Sequence, residues 1–441
     1  EPYRRQRQMC IRDRWRGQRT INLNKHMTEG MRFRNKLAYD LIRGIPQMVG
    51  LRTQFVHLYV KDNTEESGVK FEDYGIYTQV EQLNKTALKS HGLDSNGQLY
   101  KINSFEFYRY EDIIKKEDDA GYDKTAFEKM LEIKGDSDHT KLIDMLTDLN
   151  DYSIGIEDVL KEHFDEENIV YWMAFQILMG NVDTQNRNVY LYSPLNSDIW
   201  YFIAWDNDGC LMRPEYELRN FSDQNSWEKG ISNYWGNILF QRCLKSRSFR
   251  EKLNDAILDL REYLNKDMLT SKIESYKNVL KPYLYLMPDA EYEPLTSEQY
   301  DQIAASLPDE IEKNYQLYLE SLETPMPFYI GVPTIDGDKL KFNWDVSYDL
   351  DAEDITYSVE VARDYLFQDV IYQNTTLTVP EAEMDLPNAG QYFVRVRATN
   401  TSGKTQDAFD YYVTDEGKHY GMKCFYITED STVEEDIYEE G

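Results

Sequence analysis

Four polar side chains carry the chemical content of this 441-residue sequence: Asp183 and Asn188, five positions apart, and Asp206 and Asp208, two apart. Each pair follows an element that the patterning defines. The apolar run 169–179 reads as a helix, Gly180 can take the left-handed conformation that closes a helix, and 189–192 and 200–205 read as two strands. A hairpin made of those strands would bring all four side chains to one mouth. Carboxylates and an amide converging there form a hard, oxygen-rich set, suited to Mg²⁺ and phosphate and unlike a zinc site. The expected chemistry is phosphoryl transfer. A plainer reading stands beside it: Asx side chains cap turns, and Trp205-Asp206-Asn207-Asp208 also reads as a tight turn or a calcium loop.

Other elements must hold this stretch in place. Upstream, 31–45 has Leu37, Leu41 and Ile45 at helical spacing and stops before Pro46; 55–60, 74–80 and 99–101 read as strands. Residues 111–165 are highly charged and read as helical, with Phe127, Met130, Leu131, Leu142, Ile143, Met145 and Leu146 as core stripes. Downstream, amphipathic helices are expected over 235–245, 249–264, 269–284 and 297–322, punctuated by Pro282, Pro288, Pro294 and Pro308, the last at a helix start.

At Thr324-Pro325-Met326-Pro327 the composition changes. Short alternating runs follow at 340–346, 355–362, 370–373, 376–379, 390–399 and 407–413, the spacing of a β-sandwich. Trp344 on an early strand and Tyr392-Phe-Val-Arg-Val-Arg-Ala-Thr-Asn400 on a late one resemble a fibronectin type III module over 325–415. Residues 416–441 read as an acidic tail, expected to be disordered because nothing basic follows Thr428.

The net charge of -30 argues against nucleic-acid binding, which needs a basic surface. Cys10, Cys210, Cys243 and Cys424 are widely separated and show no paired spacing, so neither a zinc site nor a disulfide framework is indicated. No apolar run is long enough for a transmembrane helix. Residues 1–14 hold five Arg in an otherwise acidic chain and resemble translated adapter sequence; they are expected to be a foreign leader, with a genuine basic arm as the alternative.

The blocks in order resemble the CotH kinase family, spore-coat-kinase-like secreted and surface proteins with an atypical protein-kinase fold. The resemblance covers 15–323 and rests on Arg34-Asn-Lys-Leu-Ala-Tyr-Asp-Leu41, the strand 55–60, Tyr74-Gly-Ile-Tyr-Thr-Gln-Val-Glu81, Leu99-Tyr-Lys101, Gly180-Asn-Val-Asp183 with Asn188, and Trp205-Asp206-Asn-Asp208. It implies an α+β fold: a two-lobed kinase-like domain whose N-lobe is truncated and whose C-lobe is helical, followed by the β module. The interval from Asp183 to Asn188 matches the catalytic-loop spacing of protein kinases without its His-Arg. Asp183 would then be the base, Asn188 and Asp206 metal ligands with Asp208 assisting, Glu81 a nucleotide contact at the hinge, and Lys101 a phosphate contact. Glu81 as an exposed strand end and Lys101 as a solvated lysine are the rival readings. ATP with Mg²⁺ or Mn²⁺, a Ser/Thr-bearing protein substrate and a secreted or cell-surface location with partners through the β module are implied. The family's upstream phosphate lysine has no match here. The alternatives are a non-catalytic pseudokinase scaffold or adhesion protein, and a calcium-dependent carbohydrate binder.

Overall fold

The computed structural model describes residues 15, 17–61, 70–219, 227–415 and 417–436; the proposed leader 1–14 lies outside the described residues. Two compact units divide the chain: Glu1–Leu218 with Asn237–Asn314, and Arg219–Gly236 with Tyr315–Gly441.

In the first unit, β1 (Ile21–Asn24), α1 (Arg34–Ile42), β2 (Thr53–Val60) and β3 (Glu72–Glu81) open the chain, and the strands pair antiparallel in the order β1-β3-β2. After α2 (Lys85–Ser90) comes β4 (Gln98–Ile102). The charged stretch that reads as helical is broken up: α3 (Lys124–Met130), β5 (Leu131–Ile133), α4 (Thr140–Asn150) and α5 (Ile156–His163). Its Leu131-Glu132-Ile133 pairs with β4, placing Glu132 opposite Lys101. A β-branched residue next to an open sheet edge took the strand that helical spacing alone does not anticipate.

The central helix α6 (Glu166–Leu178) starts because Asp165 accepts a hydrogen bond from the Asn168 N–H at 3.0 Å, with Glu166 and Glu167 in its positive first turn. Ile169, Trp172, Met173, Phe175 and Leu178 are buried on every side of it, which marks a helix inside the core. It ends at Gly180, whose φ is +59°; a Cβ there would lie 2.7 Å from Asn314 Nδ2. Glycine is required for both reasons. β6 (Val189–Ser193) and β7 (Tyr201–Ala204) then form the expected hairpin, completing a sheet in the order β5-β4-β6-β7.

The helices that follow are α7 (Arg213–Arg219), α8 (Ile238–Lys245), α9 (Arg247–Tyr263), α10 (Lys266–Leu284), α11 (Ser297–Ser306) and α12 (Glu310–Leu322). Pro282 lies inside the last turn of α10, and the expected helix 297–322 is split at the 3₁₀ turn Leu307–Asp309, which Pro308 opens. α9 packs along α6. Arg34 of α1 is fully buried; its Nη1 lies 2.6 Å from Glu215 on α7 and 3.6 Å from Glu29. That network ties the early helix to the segment just after Asp208.

The second unit is all-β apart from its flanking helical pieces. Its larger sheet runs β11 (Val370–Leu377), β10 (Ile355–Ala362), β13 (Gly390–Asn400), β17 (Met422–Ile427), β18 (Val433–Glu435), with β14 (Thr405–Asp407) also on β13; β12 (Glu381–Asp385), β9 (Lys339–Asn343) and β8 (Thr334–Asp336) form a second sheet, and β15 (Tyr411–Thr414) pairs β16 (Gly417–Tyr420). Leu340, Phe342, Trp344, Tyr357, Val359, Val394, Val396 and Phe425 share its core.

Four expectations change here. The runs 370–373 and 376–379 are a single irregular strand, β11, rather than two. The sheet also does not stop at 415: β17 pairs with β13 from Gly390↔Ile427 to Arg395↔Met422, and Phe425 is completely buried. Nor is 428–436 a free tail, since β18 pairs with β17 and Lys423 meets Glu435 at 2.7 Å and Asp410 at 3.2 Å. Acidity obscured a strand that one lysine neutralises. Finally, residues 227–236 belong to this unit rather than to the first. Trp227 packs edge-on against Phe409 with ring centroids 5.0 Å apart, and Trp235 stacks on Tyr348 at 5.4 Å.

Candidate active site

The β6-β7 register puts Val189 opposite Ala204, so the residues just outside the hairpin, Asn188 and Trp205, face each other. The Trp205 N–H donates to the Asn188 carbonyl at 3.1 Å. This bond brings the loop after α6 against the loop after β7. The first loop is clamped from outside: Asn186 donates to Glu106 at 2.6 Å and Asn237 to the Gln185 carbonyl at 2.8 Å.

Asp183 and Asn188 meet directly. Asn188 Nδ2 donates to Asp183 Oδ2 at 2.9 Å and to the Asp183 carbonyl at 3.1 Å. Asn188 sits at φ +59°, a conformation asparagine tolerates better than most residues. The Asp183 side chain remains 52% exposed, with Arg187 Nε 3.3 Å from its other oxygen. Asp206, also left-handed at φ +48°, donates its N–H to the Tyr39 hydroxyl at 3.1 Å, and its Oδ1 lies 3.5 Å from Asn35 Nδ2. Asp208 Oδ2 lies 3.4 Å from His26 Nδ1.

The electrostatics bind these groups into one cluster. Burial pushes the Asp206 carboxyl up to about 6, with Asp208 and Asp183 adding to the rise while His26 and Lys101 oppose it. Asp183 is raised by burial and by Asp208, against the pull of Arg187 and Asn188. Burial works against ionised Asp208, but the hydrogen bond and charge of His26 together with the Asp208 and Gly209 backbone N–H groups outweigh it, and the carboxyl is lowered. Three carboxylates thus repel one another beside a lysine. A divalent cation would relieve that repulsion.

The donor set fits such an ion. Three carboxylates and an amide are hard oxygen ligands, and Mg²⁺ characteristically takes one or two carboxylates together with waters and phosphate oxygens. Among the described residues no group of three or more His, Cys, Asp or Glu is arranged as a metal cage. The side chains that would hold the ion are Asn188, Asp206 and Asp208.

Lys101 lies in β4 opposite Tyr190 of β6, near enough for its charge to oppose the rise at Asp206. Glu81 does not present a free carboxylate there. It is completely buried, and its carboxylate is taken up by Arg52, by His91 Nε2 at 2.8 Å and by the Arg52 N–H at 3.1 Å. Burial works against its ionisation, yet the His91 and Arg52 hydrogen bonds overcome this and pull it down to about 2. The exposed strand end gives way to a buried ion pair, because an unpaired buried carboxylate would be too costly.

Sequence reasoning missed the residues behind the cluster. Asn35 and Tyr39 lie in the Arg34–Leu41 block that carries the resemblance, though nothing in their type marks a role; both reach the Asp206 turn, Asn35 Oδ1 accepting from the Asn207 N–H at 3.1 Å. His26 has no signal in its surroundings at all. Gln176 and Asn181 had one: each is an amide inside or beside an apolar stretch, and both are buried, as is Asn207.

The family comparison places this mixed helix-and-sheet unit among kinase-like proteins. The family model for CotH kinase protein matches residues 4–318, and the chain belongs to that family. The match begins inside the basic 1–14 stretch and ends before the first strand of the second unit, Thr334–Asp336. Inner spore coat protein H of Bacillus subtilis (strain 168) is 22% identical over 292 residues, covering 65% of this chain and 74% of that protein. The crystal structure of a Helicobacter pylori proinflammatory kinase, CtkA, covers 69% of this chain and 90% of its own at 13% identity and a TM-score of 0.32, a likeness too slight to carry an argument. Among the described residues no helix is long and apolar enough to cross a membrane.

Proposed function

We propose that this chain is an ATP-dependent protein kinase acting on serine or threonine hydroxyls of a secreted or cell-surface protein. The observation that carries the reading is the Asp183–Asn188 pair, 2.9 Å apart, joined through the Trp205–Asn188 bond to the turn bearing Asp206 and Asp208. A carboxylate that is accessible yet hydrogen-bonded suits a group that must accept the proton of an incoming hydroxyl. Asn188, Asp206 and Asp208 hold the cation, and Lys101 offers positive charge to phosphate oxygens. Bound Mg²⁺ or Mn²⁺ would supply neutralisation of the charge on the transferred phosphoryl group. Spore-coat placement of the Bacillus relative supports a surface location. The two-sheet β unit is read as fibronectin type III-like, a spacer or a contact for cell-surface partners.

The test is phosphate transfer from labelled ATP to a mixed Ser/Thr peptide library with Mg²⁺ or Mn²⁺. Asp206→Ala is expected to abolish transfer while leaving the melting profile in place; transfer at the wild-type rate by the variant removes Asp206 from the mechanism. One observation favours a non-catalytic scaffold instead: Arg187 lies against the proposed base at 3.3 Å. A Mg²⁺-dependent thermal shift with ATP separates the readings, since a scaffold without a nucleotide site shows none.

A further inference from the structure

We propose that Gln176 is the positioning residue that sets the spacing between the Asp183 loop and the Asp206–Asp208 loop. It lies in the last turns of α6, where every other residue from Trp172 to Leu178 is apolar, and is completely buried. Burying an uncharged amide among Phe175, Ile177 and Leu178 is unfavourable unless its donor and acceptor are both used. They are used on opposite sides. Gln176 Oε1 accepts from Asn181 Nδ2 at 3.0 Å, two residues before Asp183; Gln176 Nε2 donates to Asn207 Oδ1 at 3.2 Å, between Asp206 and Asp208. Asn181 and Asn207 are at most 1% exposed, so water competes little for these bonds.

Two neighbouring contacts show how close the loops approach. The Leu211 N–H donates to the Met179 carbonyl at 2.8 Å, and a Cβ on Gly209 would fall 2.6 Å from Asn181 Oδ1. Asn207 is held from its other side by Asn35, whose Oδ1 accepts its N–H. The amide chain Asn181–Gln176–Asn207 therefore links the group assigned as base to the groups assigned as cation ligands, without itself facing solvent. Its role in turnover rests on the kinase reading above, whereas its role in holding the loops does not.

Gln176→Met keeps the length of the side chain and removes both bonds. In hydrogen exchange of the whole chain, amides in 180–184 and in 205–210 are expected to exchange about tenfold faster together. In turnover, kcat is expected to fall ~10–100-fold, because misplacing the groups by a fraction of an ångström spoils their alignment, while KM for ATP stays within about threefold. A residue that serves stability alone would lower the melting temperature and leave kcat per folded molecule unchanged. Unchanged exchange in either loop overturns the proposal whatever the activity. An inactive wild type sinks only the kinase reading, and exchange then decides the role of Gln176. Should Gln176→Met fail to fold, Asn207→Ser cuts the same bond from the loop side; faster exchange at 180–184 as well as 205–210 supports the coupling, and faster exchange at 205–210 alone refutes it.

Discussion

Replacing Glu81 by glutamine separates a structural ion pair from a nucleotide contact, and the size of the effect follows from the structure. The carboxylate is fully buried with Arg52 and His91 around it, and its carboxyl lies at about 2 instead of 4.5. At about 1.4 kcal/mol per pH unit, the difference corresponds to about 3 kcal/mol of stability at neutral pH. The sign is that of a depressed carboxyl: the contribution is complete above pH 4.5 and is lost as the pH falls towards 2. Glu81→Gln preserves the shape, removes the charge and turns one acceptor into a donor facing Arg52 or His91. The melting transition of the first unit, followed by calorimetry, is expected to fall by roughly 6 °C at pH 7. The gap between wild type and variant should close between pH 4.5 and 2. The ATP-induced shift measured on the folded variant is expected to stay. A variant that melts with the wild type at pH 7 but has lost its nucleotide shift would refute this reasoning and restore Glu81 as a ligand contact.

Gly180→Ala forces a Cβ into a left-handed residue and against Asn314, and is expected to lower stability by about 1–3 kcal/mol in chemical denaturation, whereas an unchanged midpoint would mean that the helix end relaxes freely. Arg34→Met leaves Glu215 buried without its 2.6 Å partner, at a cost of about 3–5 kcal/mol. Adding Glu215→Leu should recover part of that loss; a double variant no more stable than Arg34→Met would show that the pairing does not carry it. Truncation after Asp415 removes β17 and with it Phe425 from the core. The β unit of the shortened chain is expected to lose its cooperative melting transition, and retention of that transition would return the boundary to 415.

Local structure was legible wherever periodicity was strong and burial uniform. The helix before Gly180, the hairpin after it and the strand 355–362 follow from apolar spacing, and the reversal of backbone direction at Gly180 follows from its lack of a Cβ. The convergence of Asp183, Asn188, Asp206 and Asp208 was legible for the same reason, since a two-stranded hairpin leaves its flanking residues at one end. The partners of a side chain were not legible. Glu81 reads identically as a strand-end glutamate or a ligand contact until Arg52 and His91, 29 and 10 positions away, close around it. Lys101 gains meaning only from the β4-β6 pairing that sets it beside the Asp206 turn. The strand β17 was hidden by the acidic residues that follow it, and Gln176 by the apolar helix that contains it.

Side-chain spacing thus determined the elements and the chemical character of the cluster, because both depend on near neighbours along the chain. Tertiary structure decided which charges are consumed by pairing and which stand free, because burial makes an ion or an amide depend on whatever distant residue is packed against it.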